Sequence, residues 1–242
     1  MASQPIVKLL TSSGIGSRRQ VAALIKRGSI AVNGEIVQSF TEPVDLAKDV
    51  ITIDGKHTSV TAEPVIYLML NKPKGVISST SDKRGEKTVI DVLPDKYRHI
   101  RLYPVGRLDK NSTGLILLTN DGKLTFRLTH PRFEQEKEYL VRIGQSLKPE
   151  DKMKLEKGIH LDDGKTSPAE VKALKYPPFS YSVTIHEGKK RQVRRMFAAL
   201  GYKVLELKRI RLCSLRLGTL PEGEIRELTP RQVQSLKRGR RI

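Results

Sequence analysis

An α+β fold in two domains is predicted: a small N-terminal unit of two helices and a small sheet, then a mixed, mainly antiparallel sheet carrying fewer helices than strands. Three observations carry this. Strand-like runs outnumber helical ones, and several of their connections are too short for parallel crossovers. A polar stretch ending in proline, HTSVTAEP (57–64), interrupts the pattern after the first sixty residues. Residues 1–60 are therefore assigned to the first domain and 64–242 to the second, which ends in a basic tail.

The elements follow in order. IVKLLTSSG has helical apolar spacing and stops at Gly14; Ser17 and Gln20 form a capping-box pattern that opens RRQVAALIKR, which stops at Gly28. SIAVNGEIV reads as a hairpin with Asn33 and Gly34 at its turn, and VITIDGK supplies another strand ending at Asp54 and Gly55. The second domain begins with the strand VIYLML, turns at NKPKG, passes through VISST, a loop and TVIDVLP, and reaches VGRLDKNSTGLILLTNDG (105–122). DGKLTFRLTH, the strand KEYLVRI, the helix PEDKMKLEKG and strands in AEVKALK and FSYSVTIHEG come next. The helix KRQVRRMFAALG and the strands YKVLELKRI and CSLRLG close the domain.

Lys and Arg number 45 against 26 Asp and Glu, a formal charge of +19. Such a field favours polyanions, nucleic acid first among them. The cations cluster in EGKKRQVRRMFAALGYKVLELKRIR (187–211) and in the acid-free RQVQSLKRGRRI (231–242). With no Trp and 5% aromatic residues a broad stacking platform is not expected, so phosphate contacts and shape should dominate affinity. Arg18, Arg19, Lys26 and Arg27, at the two ends of one short helix, are spaced to follow a phosphate backbone, and surface solvation accounts for them almost as well. The longest apolar runs fall short of the roughly 20 residues of a membrane-spanning helix, no secretory signal is evident, and a single Cys213 fits a reducing, cytoplasmic setting.

Neither metal nor cofactor is expected. The five histidines are scattered, GIGSRR (14–19) lacks the last glycine and the preceding strand of a dinucleotide loop, and GEKT (85–88) is not a phosphate loop. What remains is Asp109, alone among cations at the mouth of a buried strand. A carboxylate at a core edge is driven towards protonation unless a cation holds it ionised. Arg107 is a local candidate for that cation, and an arginine of RQVRRMF a distant one. Two roles fit: a structural ion pair, or an ionised carboxylate acting as a nucleophile.

The ordered motifs NKPKG (71–75), VGRLDKNSTGLILLTNDG, KEYLV (137–141) and EGKKRQVRRMFAALGYKVLELKRI (187–210) resemble the RsuA/RluB family of ribosomal RNA pseudouridine synthases. SSGIGSRRQVAALIKRGSIAVNGEIV resembles the α-L RNA-binding module often fused to them. The resemblance implies isomerisation of a uridine to pseudouridine in rRNA without cofactor or metal. It makes Asp109 the nucleophile, towards either the uracil or the ribose, Tyr139 the residue that stacks on the uracil, and Arg194 the partner of Asp109. Lys72 and Pro73 would support the floor of the site, Lys72 being counted among the RNA-binding residues. Arg107 would enter the space left by the extruded base. Arg191 and Arg195 are assigned to phosphate contacts or to a solvated helix face. Arginine at 194 tilts the expected substrate towards large-subunit rRNA, with small-subunit rRNA as the alternative, bound as naked rRNA or as an assembly intermediate by a monomer away from membranes. A non-catalytic RNA-binding assembly factor is the competing reading. An rRNA methyltransferase would need a glycine-rich cofactor loop that the chain lacks.

Overall fold

The computed structural model describes residues 3–61, 63–175 and 177–238. The chain divides into two compact units, Met1–Val65 with His99–Arg101, and Ile66–Arg98 with Leu102–Ile242.

The first unit contains β1 (Gln4–Pro5), α1 (Ile6–Ser12), α2 (Arg18–Lys26), β2 (Ile30–Val32), β3 (Glu35–Ile36), β4 (Pro43–Val44), β5 (Ile51–Ile53) and β6 (Lys56–His57). Local chemistry sets its corners. The Gln20 amide donates to Ser17 Oγ at 3.2 Å while the Ser17 amide donates to Gln20 Oε1 at 2.8 Å, so two otherwise orphaned donors at the start of α2 are satisfied reciprocally. Asn33 and Gly34 (φ 53° and 87°) close the β2–β3 hairpin, and Asp54 and Gly55 (φ 50° and 75°) close β5–β6. The resulting antiparallel sheet runs β3-β2-β5-β6. Ile6, Leu10, Val21 and Ile30 are wholly buried against one another's elements, each contributing about 1.5–3 kcal/mol of transfer free energy.

The second unit runs β7 (Tyr67–Lys72), α3 (Asp95–Arg98), β8 (Tyr103–Pro104), β9 (Thr113–Thr119), α4 (Gly122–Thr129), a 3-10 turn (Pro131–Phe133), β10 (Lys137–Ile143), α5 (Pro149–Lys157), β11 (His160–Leu161), β12 (Gly164–Lys165), β13 (Glu170–Ala173), β14 (Tyr181–Ile185), α6 (Gln192–Ala198), β15 (Val204–Leu212), β16 (Leu215–Arg216), β17 (Ile225–Glu227) and α7 (Pro230–Arg238). Its main sheet has the order β13-β14-β10-β15-β9-β7-β17. Every neighbouring pair on that path is antiparallel except β15 and β9, which meet in parallel through Lys208 opposite Thr113 and Arg209 opposite Gly114. Strands β7 and β9 are buried on both faces, which explains their continuous apolar runs. Leu124 and Leu128 of α4 and Leu236 of α7 pack on Met69, Leu115 and Leu117.

Three segments to which the sequence assigned no element are defined by the structure. VISST and TVIDVLP form no strand beyond a bridge between Ile77 and Thr88. The acid-free tail is helical as α7, opened by Thr229, whose hydroxyl accepts from the Gln232 amide at 3.3 Å. Its last four residues, GRRI, lie outside the described residues.

Candidate active site

One row of residues crosses the sheet beneath the GRLD loop. Lys72 of β7 pairs with Gly114 of β9, Gly114 with Arg209 of β15, Arg209 with Tyr139 of β10, and Tyr139 with Val183 of β14. At about 4.8 Å per strand, Lys72 and Tyr139 stand three strands apart, roughly 14 Å between Cα atoms. Asp109 belongs to the loop that enters β9 just above this row. The alternation of β10 puts Tyr139, Val141 and Ile143 on one buried face, so Tyr139 is 8% exposed and turned to the same side as the loop.

The loop is fixed by groups other than the Asp109 carboxylate. Ser78 brackets Leu108: its Oγ donates to the Leu108 carbonyl at 2.9 Å and accepts from the Leu108 amide at 3.0 Å. The Asp109 carbonyl accepts from the Ser112 amide at 3.0 Å, and the Gly75 amide donates to the Lys110 carbonyl at 2.9 Å. Lys72, 0% exposed, donates from Nζ to the carbonyls of Pro73 (2.8 Å), Val76 (2.7 Å) and Lys110 (3.3 Å), tying two loops together. This corrects its expected place among the RNA contacts, because a buried ammonium with three carbonyl acceptors presents nothing to a ligand. Sequence inspection missed Ser78 and Ser112; neither lies in a pattern that would single out a serine, since their partners come from tertiary placement.

Burial lowers the Lys72 ammonium to about 8, opposed by the negative charges of Glu222 and Asp109. Between pH 8 and the ordinary lysine value of 10.5, the unfolded chain therefore binds more protons than the folded one, and folded stability rises with pH in that window. Lys72→Met lacks this contribution. Urea titrations at pH 8 and pH 10 are expected to show the stability gap between wild type and Lys72→Met widening in favour of wild type as pH rises; a narrowing gap contradicts the assignment.

Asp109 lines two cavities. The larger, about 320 Å³, is lined by Ile77, Ser78, Arg107, Asp109, Arg191 and Arg194 among others, a volume at the low end of small-ligand sites. The smaller, about 80 Å³, has Asp109, Ser112, Tyr139, Gln192 and Leu207 in its wall. Ser112 is 1% exposed and its Oγ has no partner among the described residues. Arg107 is exposed and touches both spaces.

Arg194 reaches this site without a direct ion pair to Asp109. Its Nη1 donates to the Val204 carbonyl at 2.9 Å and its Nη2 to the Asn111 carbonyl at 3.3 Å, and no carboxylate lies within 4.0 Å of it among the described residues. Burial lowers its pKa, the charge of Asp109 opposes this, and Arg191 adds to it. The guanidinium thus acts on Asp109 through space while holding the Asn111 end of the loop. Arg195 is committed elsewhere, with a two-point pair to Asp163 at 2.9 Å for each contact that raises its pKa.

In the N-terminal unit, Arg18, Arg19 and Lys26 are exposed, and none has an ion pair among the described residues. Arg27 meets Asp54 at 3.3 Å with both side chains 60% exposed, an arrangement worth little and easily exchanged for a phosphate. Among the described residues no group of three or more His, Cys, Asp or Glu is placed to hold a metal ion, and no helix is long and apolar enough to cross a membrane.

A family model described as RNA pseudouridylate synthase matches residues 66–199, the unit that holds this site. The chain belongs to the RNA pseudouridylate synthase family. An S4 domain model matches residues 4–51 of the synthase, the helices and hairpin of the first unit. The synthase is 41% identical over 235 residues to ribosomal large subunit pseudouridine synthase B of Bacillus subtilis, covering 95% of this chain and 94% of that one. It is 36% identical over 234 residues to an uncharacterized RNA pseudouridine synthase of Aquifex aeolicus, covering 96% and 92%. A solved structure described as a pseudouridylate synthase superposes with a TM-score of 0.69 at 33% identity, covering 96% of this synthase and 99% of that chain. The mixed α+β architecture and the enzyme class expected from the motifs are those of this family.

Proposed function

We propose that the synthase converts a uridine of large-subunit rRNA to pseudouridine, with Asp109 as the nucleophile. The observation that carries this is that Asp109 lies in the wall of two cavities, both lined by Arg107 and Arg191, one of which also holds Arg194 and the other Tyr139. The Bacillus relative's name supports the large subunit as substrate, and the +19 charge with the S4 module supports RNA as the partner.

The target uridine leaves the stack at a cost of roughly a few kcal/mol, and Arg107, exposed at the rim, fills the space left behind. Its uracil stacks on Tyr139. The Asp109 carboxylate attacks the uracil or the anomeric carbon, the bond from that carbon to uracil N1 breaks, and the base turns. Carbon five then bonds to the anomeric carbon, its proton departs with Tyr139 assisting while N1 gains a proton, and Asp109 leaves with the electron pair of its own bond. Reactant and product are isomers, so no water or cofactor is consumed. Arg194 and Lys72 offset the carboxylate charge from outside hydrogen-bond range. Arg18, Arg19, Lys26, Arg27, Arg191 and, once released from Asp163, Arg195 contact phosphates. The synthase acts as a cytoplasmic monomer on rRNA or on an assembly intermediate, with residues 1–60 as its RNA-binding domain and 64–242 as its catalytic domain.

Purified synthase incubated with unmodified large-subunit and small-subunit rRNA transcripts provides the test. Pseudouridine in the former alone is expected. Product in the small-subunit transcript alone reassigns the substrate, and no product in either favours a binding role.

A further inference from the structure

Beside the catalytic loop lies an exposed cluster that these roles leave unused. Phe126 on α4 meets His130 with ring centroids 4.7 Å apart and Phe133 edge-on at 5.8 Å. Arg132 lies over both phenylalanines, its guanidinium carbon 4.9 Å from one ring centroid and 4.5 Å from the other. Arg132 is itself exposed, and its guanidinium has neither a carboxylate nor a hydrogen-bond acceptor among the described residues; neighbouring Glu134 makes no ion pair with it. Phe126 is 46% exposed.

A free arginine ordinarily samples many rotamers. Two aromatic faces restrict this one by attracting its charge to their rings, and the five guanidinium N–H groups remain unused. The cluster adjoins the site. A β-carbon built on Gly106 would lie 3.7 Å from Thr129 Cγ2, so the last turn of α4 packs on the residue that precedes Arg107. We infer that Arg132, braced by Phe126 and Phe133, is a stacking site for one unpaired nucleobase of the RNA, flanking the nucleotide that enters the cavity. A restrained guanidinium plane offers a stacking surface to any base, and its charge suits the adjoining phosphate. A single such site is compatible with the low aromatic content, which rules against a broad platform. The ligand class rests on the reading of the protein as an RNA-modifying enzyme.

The test uses the full chain and two probes read by fluorescence anisotropy, a 12-nucleotide oligoadenylate and a 12-base-pair RNA duplex. Arg132→Ala and Phe126→Ala are each expected to weaken single-strand binding about tenfold, and duplex binding by less than about threefold. Arg132→Lys keeps the charge without the plane and is expected to behave as Arg132→Ala. Equal losses on both probes, unchanged single-strand binding, or wild-type binding by Arg132→Lys each overturn the inference. Circular dichroism establishes that the variants are folded. Pseudouridine formation by the wild type is measured in parallel; its absence refutes the activity while leaving the stacking site to be judged by the oligonucleotides.

Discussion

Asp109→Asn is expected to reduce pseudouridine formation by at least about a thousandfold, the scale on which removal of a nucleophile acts, while RNA affinity stays within about threefold of wild type. The geometry separates these two effects. The loop around Asp109 is held by Ser78, by the Lys72 ammonium and by the bond from the Ser112 amide to the Asp109 carbonyl, none of which uses the carboxylate. An amide of nearly the same shape therefore leaves the loop in place and removes the attacking charge. Lys72 and Arg194 each lose one favourable electrostatic partner, so a small change in stability accompanies the loss of activity. Single-turnover assays on an rRNA transcript, with affinity measured on the same RNA, read both quantities. Activity persisting in Asp109→Asn would remove the nucleophile from the mechanism.

Gly114→Ala is expected to destabilise the second unit by about 4 kcal/mol or more, a large share of the 5–15 kcal/mol typical of a folded domain. Gly114 sits at φ +101°, where a side chain is strained, and an added β-carbon would lie 2.2 Å from the Arg209 carbonyl oxygen and 2.6 Å from its amide nitrogen. Both contacts are with backbone, so relief requires β9 and β15 to separate. At about 2–4 °C per kcal/mol for a domain of this size, thermal denaturation should fall by about 10 °C, read by circular dichroism. A fall of only 1–2 °C would mean that the strands part easily. Gly218→Ala, with nothing within 4 Å of its added carbon, controls for the cost of positive φ alone, 63° here.

Local signals were legible where the chemistry is local. The Ser17–Gln20 cap, the Asn33–Gly34 turn and the alternation of β10 follow from neighbours a few residues apart, and each appears in the structure. The cap at Thr229 and Gln232 has the same grammar, with Pro230 at the first helical position, yet the cationic composition of the tail obscured it. TVIDVLP illustrates the opposite limit. Its β-branched residues fit a strand, but Asp91 accepts from the Thr88 amide at 2.7 Å and draws the segment into a turn. At the site, the family resemblance pointed to Asp109, Tyr139 and Arg194, which between them line the two cavities, whereas the hydrogen bonds that hold them there were hidden. That Arg194 would bind the Asn111 carbonyl, or Lys72 three others, depends on packing between segments far apart in the chain.

The parallel seam between β9 and β15 joins residues about 95 positions apart, Gly114 and Arg209. Contacts of such separation carry a high loop-closure cost and form late. During synthesis the GRLD loop emerges early, together with β7, its partner in a local antiparallel pair. The Val204 carbonyl that anchors Arg194, and the strand that seats Tyr139 beside Arg209, are made only much later. A nascent chain thus completes its N-terminal unit well before the segments that surround Asp109 can come together, so the two units become structured at different times in the life of each molecule.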